Sequence, residues 1–251
     1  MRWFWQANPP ADVFVRSQAS TLCGVSIAGP KSRALVQRLR RADLSSSAFR
    51  LFQVKETSVG FAPAILTRAG FTGELGYEIW TTPDYFATLY DDLWDAGRDL
   101  GLAHFGGRAL SSLRLEKGYG SFNKDFRPDY TAAETGLDRF IDFSKADFVG
   151  RAAALAERES GPKRKFVVME VADADAEVVG YESIMKDGKA VGYVTSGAYS
   201  HCIDKSLAAG YVPTELANEG ETLEIDILGE VRAATVRLEP LYDPSGLRLR
   251  G

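Results

Sequence analysis

The chain has 251 residues, 45% hydrophobic and 25% charged, with 30 Lys and Arg against 34 acids and a net charge of −4. That length buries a sizeable core in one large domain or two small ones, while the charge balance leaves no basic footprint for nucleic acid or an anionic membrane. No apolar run nears the ~20 residues that span a bilayer, and two cysteines (Cys23, Cys202) and two scattered histidines (His104, His201) exclude a disulfide framework and a structural zinc site.

Met1-Arg2-Trp3-Phe4-Trp5 is too short for a signal peptide, and no small-residue cleavage site follows it. With Pro9-Pro10 behind it, this aromatic start reads as the interior of a longer chain and as a surface that a partner chain or self-association would cover. Thr21–Ala28 alternates loosely and stops at Gly29-Pro30, the pattern of a strand closed by a turn. Lys31–Arg40 spaces Leu35, Val36 and Leu39 as a helix. Gly60–Thr67 and Gly76–Thr81 read as strands on either side of a glycine-rich loop, Ala69-Gly70-Phe71-Thr72-Gly73-Glu74-Leu75-Gly76. Thr82-Pro83-Asp84 then opens a helix, with a capping hydroxyl, proline in the first turn and an acid at the positive dipole end. Its apolar stripe is Phe86, Leu89, Tyr90, Leu93 and Trp94, and Gly97 and Gly101 end it. Further helices are expected at Gly107–Lys117 and Asp147–Glu159, before Ser160-Gly161-Pro162 breaks the chain. Beyond it come short strand-like segments, Lys165–Val171, Lys189–Thr195, Ser206–Val212, Glu221–Leu228 and Val231–Glu239, separated by turns such as Asp187-Gly188. They predict a small barrel or sandwich without a long helix. The expected division is residues 1–160, α+β, and residues 161–251, antiparallel β.

The glycine loop carries the most chemical information. Gly70, Gly73 and Gly76 let backbone turn sharply or approach a flat ligand, and Glu74 and Glu78 frame it. Alternation places Glu78 opposite Tyr77 and Ile79, where a carboxylate suits the two parallel donors of an aminopyrimidinone edge. On spacing alone, a solvated hairpin with a surface glutamate is the simpler reading. No Lys-Ser/Thr follows the loop and no helix opens from it, so it is no phosphate cradle. Ser111-Ser112 and Ser196 lack a nucleophile elbow. His201-Cys202 reads as a buried loop, both cysteines as small buried groups in a reducing, cytoplasmic compartment, and Asp142, Lys145 and Asp147 as a solvated turn.

The order of segments resembles a known family. Gly29-Pro30-Lys31-Ser32-Arg33 is followed by Arg68-Ala69-Gly70-Phe71-Thr72-Gly73-Glu74-Leu75-Gly76-Tyr77-Glu78 and Leu113-Arg114-Leu115-Glu116-Lys117-Gly118-Tyr119. Then come Asp147-Phe148-Val149-Gly150-Arg151, Val191-Gly192-Tyr193-Val194-Thr195-Ser196-Gly197 and Pro240-Leu241-Tyr242-Asp243-Pro244. Together they resemble the aminomethyltransferase (glycine-cleavage T protein) family from about residue 20 onward. The Leu-Glu-Lys-Gly-Tyr run and the Tyr-Asp-Pro ending are closer to the C-terminal folate domain of FAD-dependent dimethylglycine and sarcosine dehydrogenases.

The resemblance implies part of a three-lobed α+β cloverleaf that binds tetrahydrofolate, followed by a C-terminal antiparallel β-barrel. It places the pterin-holding glutamate on Glu78, an aromatic of the loop on Phe71 (usually tyrosine) and a following tyrosine on Tyr119. An arginine that precedes the Leu-Arg-Leu-Glu run is Leu110 here, with Arg108 the cation nearest to it on the same helix. The family's acid that steers the reacting amine lies roughly a hundred residues before Glu78, ahead of the first residue of this chain, which implies an N-terminally truncated relative with no assigned catalytic residue. No Gly-x-Gly-x-x-Gly fingerprint is present, so FAD belongs to a missing or separate domain. The implied activity is folate-dependent one-carbon transfer from a methylated glycine derivative such as dimethylglycine or sarcosine. The implied partners are folate, the small-molecule substrate and a flavin-containing domain or subunit. Rival readings are a direct methyltransferase on a betaine or sulfonium compound, and a non-catalytic folate-binding module or truncated gene product. Asp125 and Asp142 are the acids of this chain that remain as alternatives for proton transfer.

Overall fold

Turn residues set the ends of most elements in the computed structural model, which describes residues 16–172 and 177–251. The aromatic start, Trp3 to Trp5, lies outside the described residues. Two compact units form. One runs to Gly70 and resumes over Leu75–Leu102; the other joins Phe71–Glu74 to Ala103–Gly251.

In the first unit, β1 (Cys23–Ala28), β2 (Val54–Val59), β3 (Ala62–Thr67) and β4 (Gly76–Thr81) make an antiparallel sheet of order β1-β4-β3-β2. Helices α1 (Ser32–Arg38) and α2 (Pro83–Gly97) cover one face of it. Leu35, Phe49, Leu66, Tyr77, Ile79 and Leu89 fill the space between, each almost wholly buried. Strand β2 departs from the sequence expectation. Its Lys-Glu-Thr-Ser run alternates weakly, and it survives as an edge strand because a two-residue turn at Gly60-Phe61 pairs Val59 with Ala62. Thr82 precedes α2 without a side-chain capping bond, so proline and Asp84 alone carry its start. At Gly97 a Cβ would stand 2.6 Å from Leu102, which ends the helix in close packing.

The second unit holds α3 (Gly107–Glu116), α4 (Arg151–Ser160) and six strands: β5 (Arg164–Val171), β6 (Ser183–Lys186), β7 (Lys189–Ser200), β8 (Lys205–Pro213), β9 (Thr222–Ile227) and β10 (Glu230–Arg237). They close an antiparallel barrel in the order β10-β5-β8-β7-β6-β9. Among the described residues no helix longer than one 3₁₀ turn interrupts it, and no helix of those residues is long and apolar enough to cross a membrane. The four-residue β6 was not foreseen; its register comes from the Asp187-Gly188 turn, where φ is 50° and 72°, the two positive values a tight hairpin needs. Helix α4 begins at Arg151 rather than Asp147, after Gly150 takes φ 89°. A bulge in β7 leaves Thr195 without a partner between Val194 and Ser196. It turns two successive polar side chains toward the unit's interior.

Candidate functional site

Alternation in β4 buries Tyr77 and Ile79 completely and leaves Glu78 half-buried on the sheet face away from the helices. Glu78 stands in register between Ser26 of β1 and Thr67 of β3. Trp80 shares that face; its ring lies over Gly24, where a Cβ would come within 2.7 Å of it. The Glu78 carboxylate makes no hydrogen bond or ion pair among the described residues, so its acceptor capacity is unspent.

Glu74, the other acid of the glycine loop, is engaged through one carboxylate oxygen within the second unit. Its Oε1 accepts from the Tyr242 hydroxyl at 2.9 Å and faces Arg248 Nη1 at 3.5 Å. Gly73 (φ 80°) leaves the space that the Lys117 stem occupies, since a Cβ there would sit 2.1 Å from Lys117 Cγ. These contacts bring Phe71 alongside Tyr119, with ring centroids 6.2 Å apart and planes at 19°.

Tyr119 owes its position to the way α3 stops. Gly118 turns left-handed at φ 66°, its N–H donates to the Leu115 carbonyl, and the Tyr119 N–H donates to the Arg114 carbonyl at 2.9 Å. Arg114 then reaches back, Nη1 donating to the Tyr119 carbonyl at 2.8 Å and to Asp125 Oδ2 at 2.6 Å. The pair is 2% and 0% exposed, and every oxygen of Asp125 is used. Oδ2 also accepts the Ser121 N–H; Oδ1 accepts the hydroxyls of Thr195 and Ser196; its carbonyl accepts the Tyr211 hydroxyl. Burial, with the Asp243 carboxylate second, pushes the Tyr119 phenol above its usual range.

Phe71 and Tyr119 line a cavity of about 500 Å³ in the second unit, a size that suits a drug-sized ligand. The sequence offered no sign of its other walls. Phe126 and Phe166 cross edge to face at 5.4 Å, and Leu238 and Pro240 close one side. Gly120 makes room for the Phe126 ring, which a Cβ would approach to 2.2 Å. Arg139 is exposed beside the cavity, over its neighbour Phe140, with no acid paired to it among the described residues. Arg108 does not line it. Its side chain is 82% exposed and pairs with Glu177.

Three sequence expectations are corrected here. His201 and Cys202 are exposed rather than buried, at the turn from β7 into β8 that the barrel core does not reach, and Cys23, at the start of β1, is half-buried rather than buried. Asp125 is a structural ion partner rather than a free acid. Asp142, as the solvated-turn reading expects, accepts from the Ser144 N–H and hydroxyl, which hold its carboxyl below the usual range.

The chain matches the GCVT N-terminal domain over residues 1–145 and the glycine cleavage T-protein C-terminal barrel domain over residues 164–243. The chain belongs to the aminomethyltransferase (glycine-cleavage T-protein) family. It is 37% identical over 255 residues to the mitochondrial dimethylglycine dehydrogenase of Rattus norvegicus, covering 100% of this chain and 30% of that protein. An aminomethyltransferase of Caldanaerobacter subterraneus is 31% identical over 89% of this chain and 59% of its own length. Among solved structures, glycine cleavage system aminomethyltransferase T from Bartonella henselae superposes with a TM-score of 0.79 at 26% identity, over 89% of this chain and 60% of that one. The chain thus spans about 30% of the dehydrogenases it matches.

Burial raises three groups of this family member's barrel unit. Tyr130 goes up to about 12, with the Tyr193 hydroxyl contributing second. Tyr242 goes up to about 12, with its bond to Glu74 second; Cys202, exposed as a residue but partly desolvated at its thiol beside Glu116, goes up to about 11. Each folded-state value is raised, so the neutral form is favoured by folding. Stability is fully present below the unfolded values of 9.0 for the thiol and 10.0 for the phenols, and is lost as pH climbs toward 12. Urea midpoints are expected to hold up to pH 8.5 and fall between pH 9 and 12. Cys202→Ala should flatten the portion between 9 and 11; an unchanged slope there would show that the thiol contributes nothing.

Proposed function

We propose that this chain is the folate-binding portion of a tetrahydrofolate-dependent one-carbon transfer enzyme acting on a methylated amine, a glycine derivative such as dimethylglycine or sarcosine. The observation that carries the proposal is the near-parallel Phe71–Tyr119 pair at the wall of a 500 Å³ cavity. Two rings so placed offer a stacking surface to a flat heterocycle. The open carboxylate of Glu78 supports a further role, as acceptor for the aminopyrimidinone edge. Arg108 joins the set by exchanging Glu177 for a carboxylate of the ligand. Tetrahydrofolate, held by Phe71, Tyr119 and Glu78, would supply the nitrogens that take up the one-carbon unit, and the oxidising chemistry would come from a flavin in a separate domain or subunit. The chain's own residues bind, orient and exclude water. A reducing, cytoplasmic setting suits Cys23 and Cys202, which are free thiols.

Turnover by this chain alone is expected to be slow. Asp125 has no free oxygen, Asp142 closes a surface turn, and general acid–base help is worth about 10²–10⁴ in rate. Isothermal calorimetry with tetrahydrofolate, beside a formaldehyde-capture assay, tests both statements. Weak binding is expected for the native chain, with a Kd about tenfold higher for Phe71→Ala, from loss of roughly 1.5 kcal/mol of apolar burial. Identical Kd values for the two proteins would remove the pocket from the folate site, and rapid turnover would require an acid not considered above.

A further inference from the structure

The segment after the barrel has more polar work to do than a tail needs. Asp243 turns left-handed (φ 46°), and its oxygens accept the N–H groups of Leu247 and Arg248, which start the short helix α5 (Leu247–Arg250). Lys117, only 3% exposed, lies beneath and donates to the Tyr242 carbonyl at 3.1 Å and to the Asp243 carbonyl and carboxylate. Burial raises the Asp243 carboxyl, yet hydrogen bonds from the Arg248 N–H and the Lys117 ammonium outweigh it and hold the group below its usual range. Arg237 to Pro240, just before this segment, line the cavity. The Tyr242 hydroxyl then crosses to Glu74, and the Lys117 stem fills the gap left by Gly73.

We propose that Tyr242 and Glu74, seated on Lys117, are positioning residues that latch the glycine loop and so hold Phe71 against Tyr119 at the ligand pocket. The loop supplies only Phe71–Glu74 to this unit, and a four-residue segment with no regular secondary structure of its own depends on side-chain contacts to hold its aromatic in place. The stacked ring stands at one end and the Tyr242–Glu74 bond at the other, with the Lys117 stem against Gly73 and Arg248 beside Glu74 as lesser contacts. Removing the second leaves Phe71 free to change rotamer, and a ring that must be ordered on binding binds less tightly. The inference rests on the folate reading for the identity of the ligand, but the latch itself does not.

Two measurements on the full chain separate them. Without ligand, a chain labelled with 4-fluorophenylalanine gives a ¹⁹F line for Phe71, assigned by Phe71→Leu. Tyr242→Phe and Glu74→Ala are expected to shift or broaden that line. Glu74→Gln, whose amide oxygen still accepts the hydroxyl, is expected to restore it, while lines of the barrel core stay in place. With tetrahydrofolate, Tyr242→Phe is expected to raise Kd about five- to tenfold, the worth of one hydrogen bond, and to have no effect once Phe71 is alanine. A Phe71 line indifferent to Tyr242→Phe overturns the latch whatever the ligand does. Equal Kd increments with and without Phe71 also overturn it, because the effect would then be general loosening. A moved line with unchanged folate binding in every variant keeps the latch and sinks the folate assignment instead.

Discussion

Replacing Arg114 with methionine is expected to destabilise the barrel unit by about 3–5 kcal/mol, because Asp125 would be left as an uncompensated charge in a dry interior. The stem of methionine fills much of the arginine's volume, so the loss is electrostatic rather than a cavity. Three donors besides Arg114 reach the Asp125 carboxylate, the Ser121 N–H and the hydroxyls of Thr195 and Ser196; they soften the loss without supplying a counter-charge. A second change, Asp125→Leu, removes the orphan and should recover part of the stability, although Ser196 and the Ser121 N–H then lose their acceptor while Thr195 keeps the Ala209 carbonyl. Urea denaturation of both single variants and the double reads this as a coupling energy. Additive losses would mean that the pair does not act as a unit. Since Arg114 also holds the Tyr119 carbonyl, the single variant should weaken tetrahydrofolate even where it remains folded.

Glu78→Ala is expected to cost tetrahydrofolate binding roughly 100-fold, the value of two charge-assisted hydrogen bonds at about 1.5 kcal/mol each. Stability should hardly change, because the carboxylate is half-buried and bonded to nothing among the described residues. Glu78→Gln should be nearly as poor a binder, since its amide turns a donor toward a donor. The contrast with Glu74 is the informative control: Glu74→Ala disturbs the Tyr242 contact and should cost far less affinity. Binding indifferent to the Glu78 changes would mean that the pterin reads some other acceptor.

Local regularities were legible in the chain. The α1 stripe, most of the α2 stripe (Tyr90 is exposed), the β3 and β4 alternation and the barrel strands follow from periods of 3.6 and 2, and several ends fall at glycines of positive φ, among them Gly29, Gly118, Gly150 and Gly188. The two unforeseen strands share a cause. In β2 the pattern is too polar and in β6 too short to signal alone, and each exists because a tight turn pairs it with a stronger neighbour. The burial of Cys202 was misjudged for a related reason: an apolar residue type carries no information about how far a hairpin tip stands from the core.

Motif resemblance in the sequence also proposed Phe71, Glu78 and Tyr119 as candidate ligands, and the helical period placed the end of α3 at Lys117, one residue past its observed end at Glu116. Resemblance singled out Glu78 but said nothing of what Glu74, four residues away, bonds to. Only the tertiary structure decided that one is tied to Tyr242, 168 positions away, while the other keeps its oxygens open. The same holds for Asp125, an acid that reads as available for proton transfer until Arg114, Thr195 and Ser196 surround it, and for the cavity walls at Phe126, Phe166 and Leu238. The physical reason is common to all three. A side chain's type and its local backbone follow from neighbours in the chain, but its hydrogen-bond partners and its exposure are set by segments that meet only when the barrel closes.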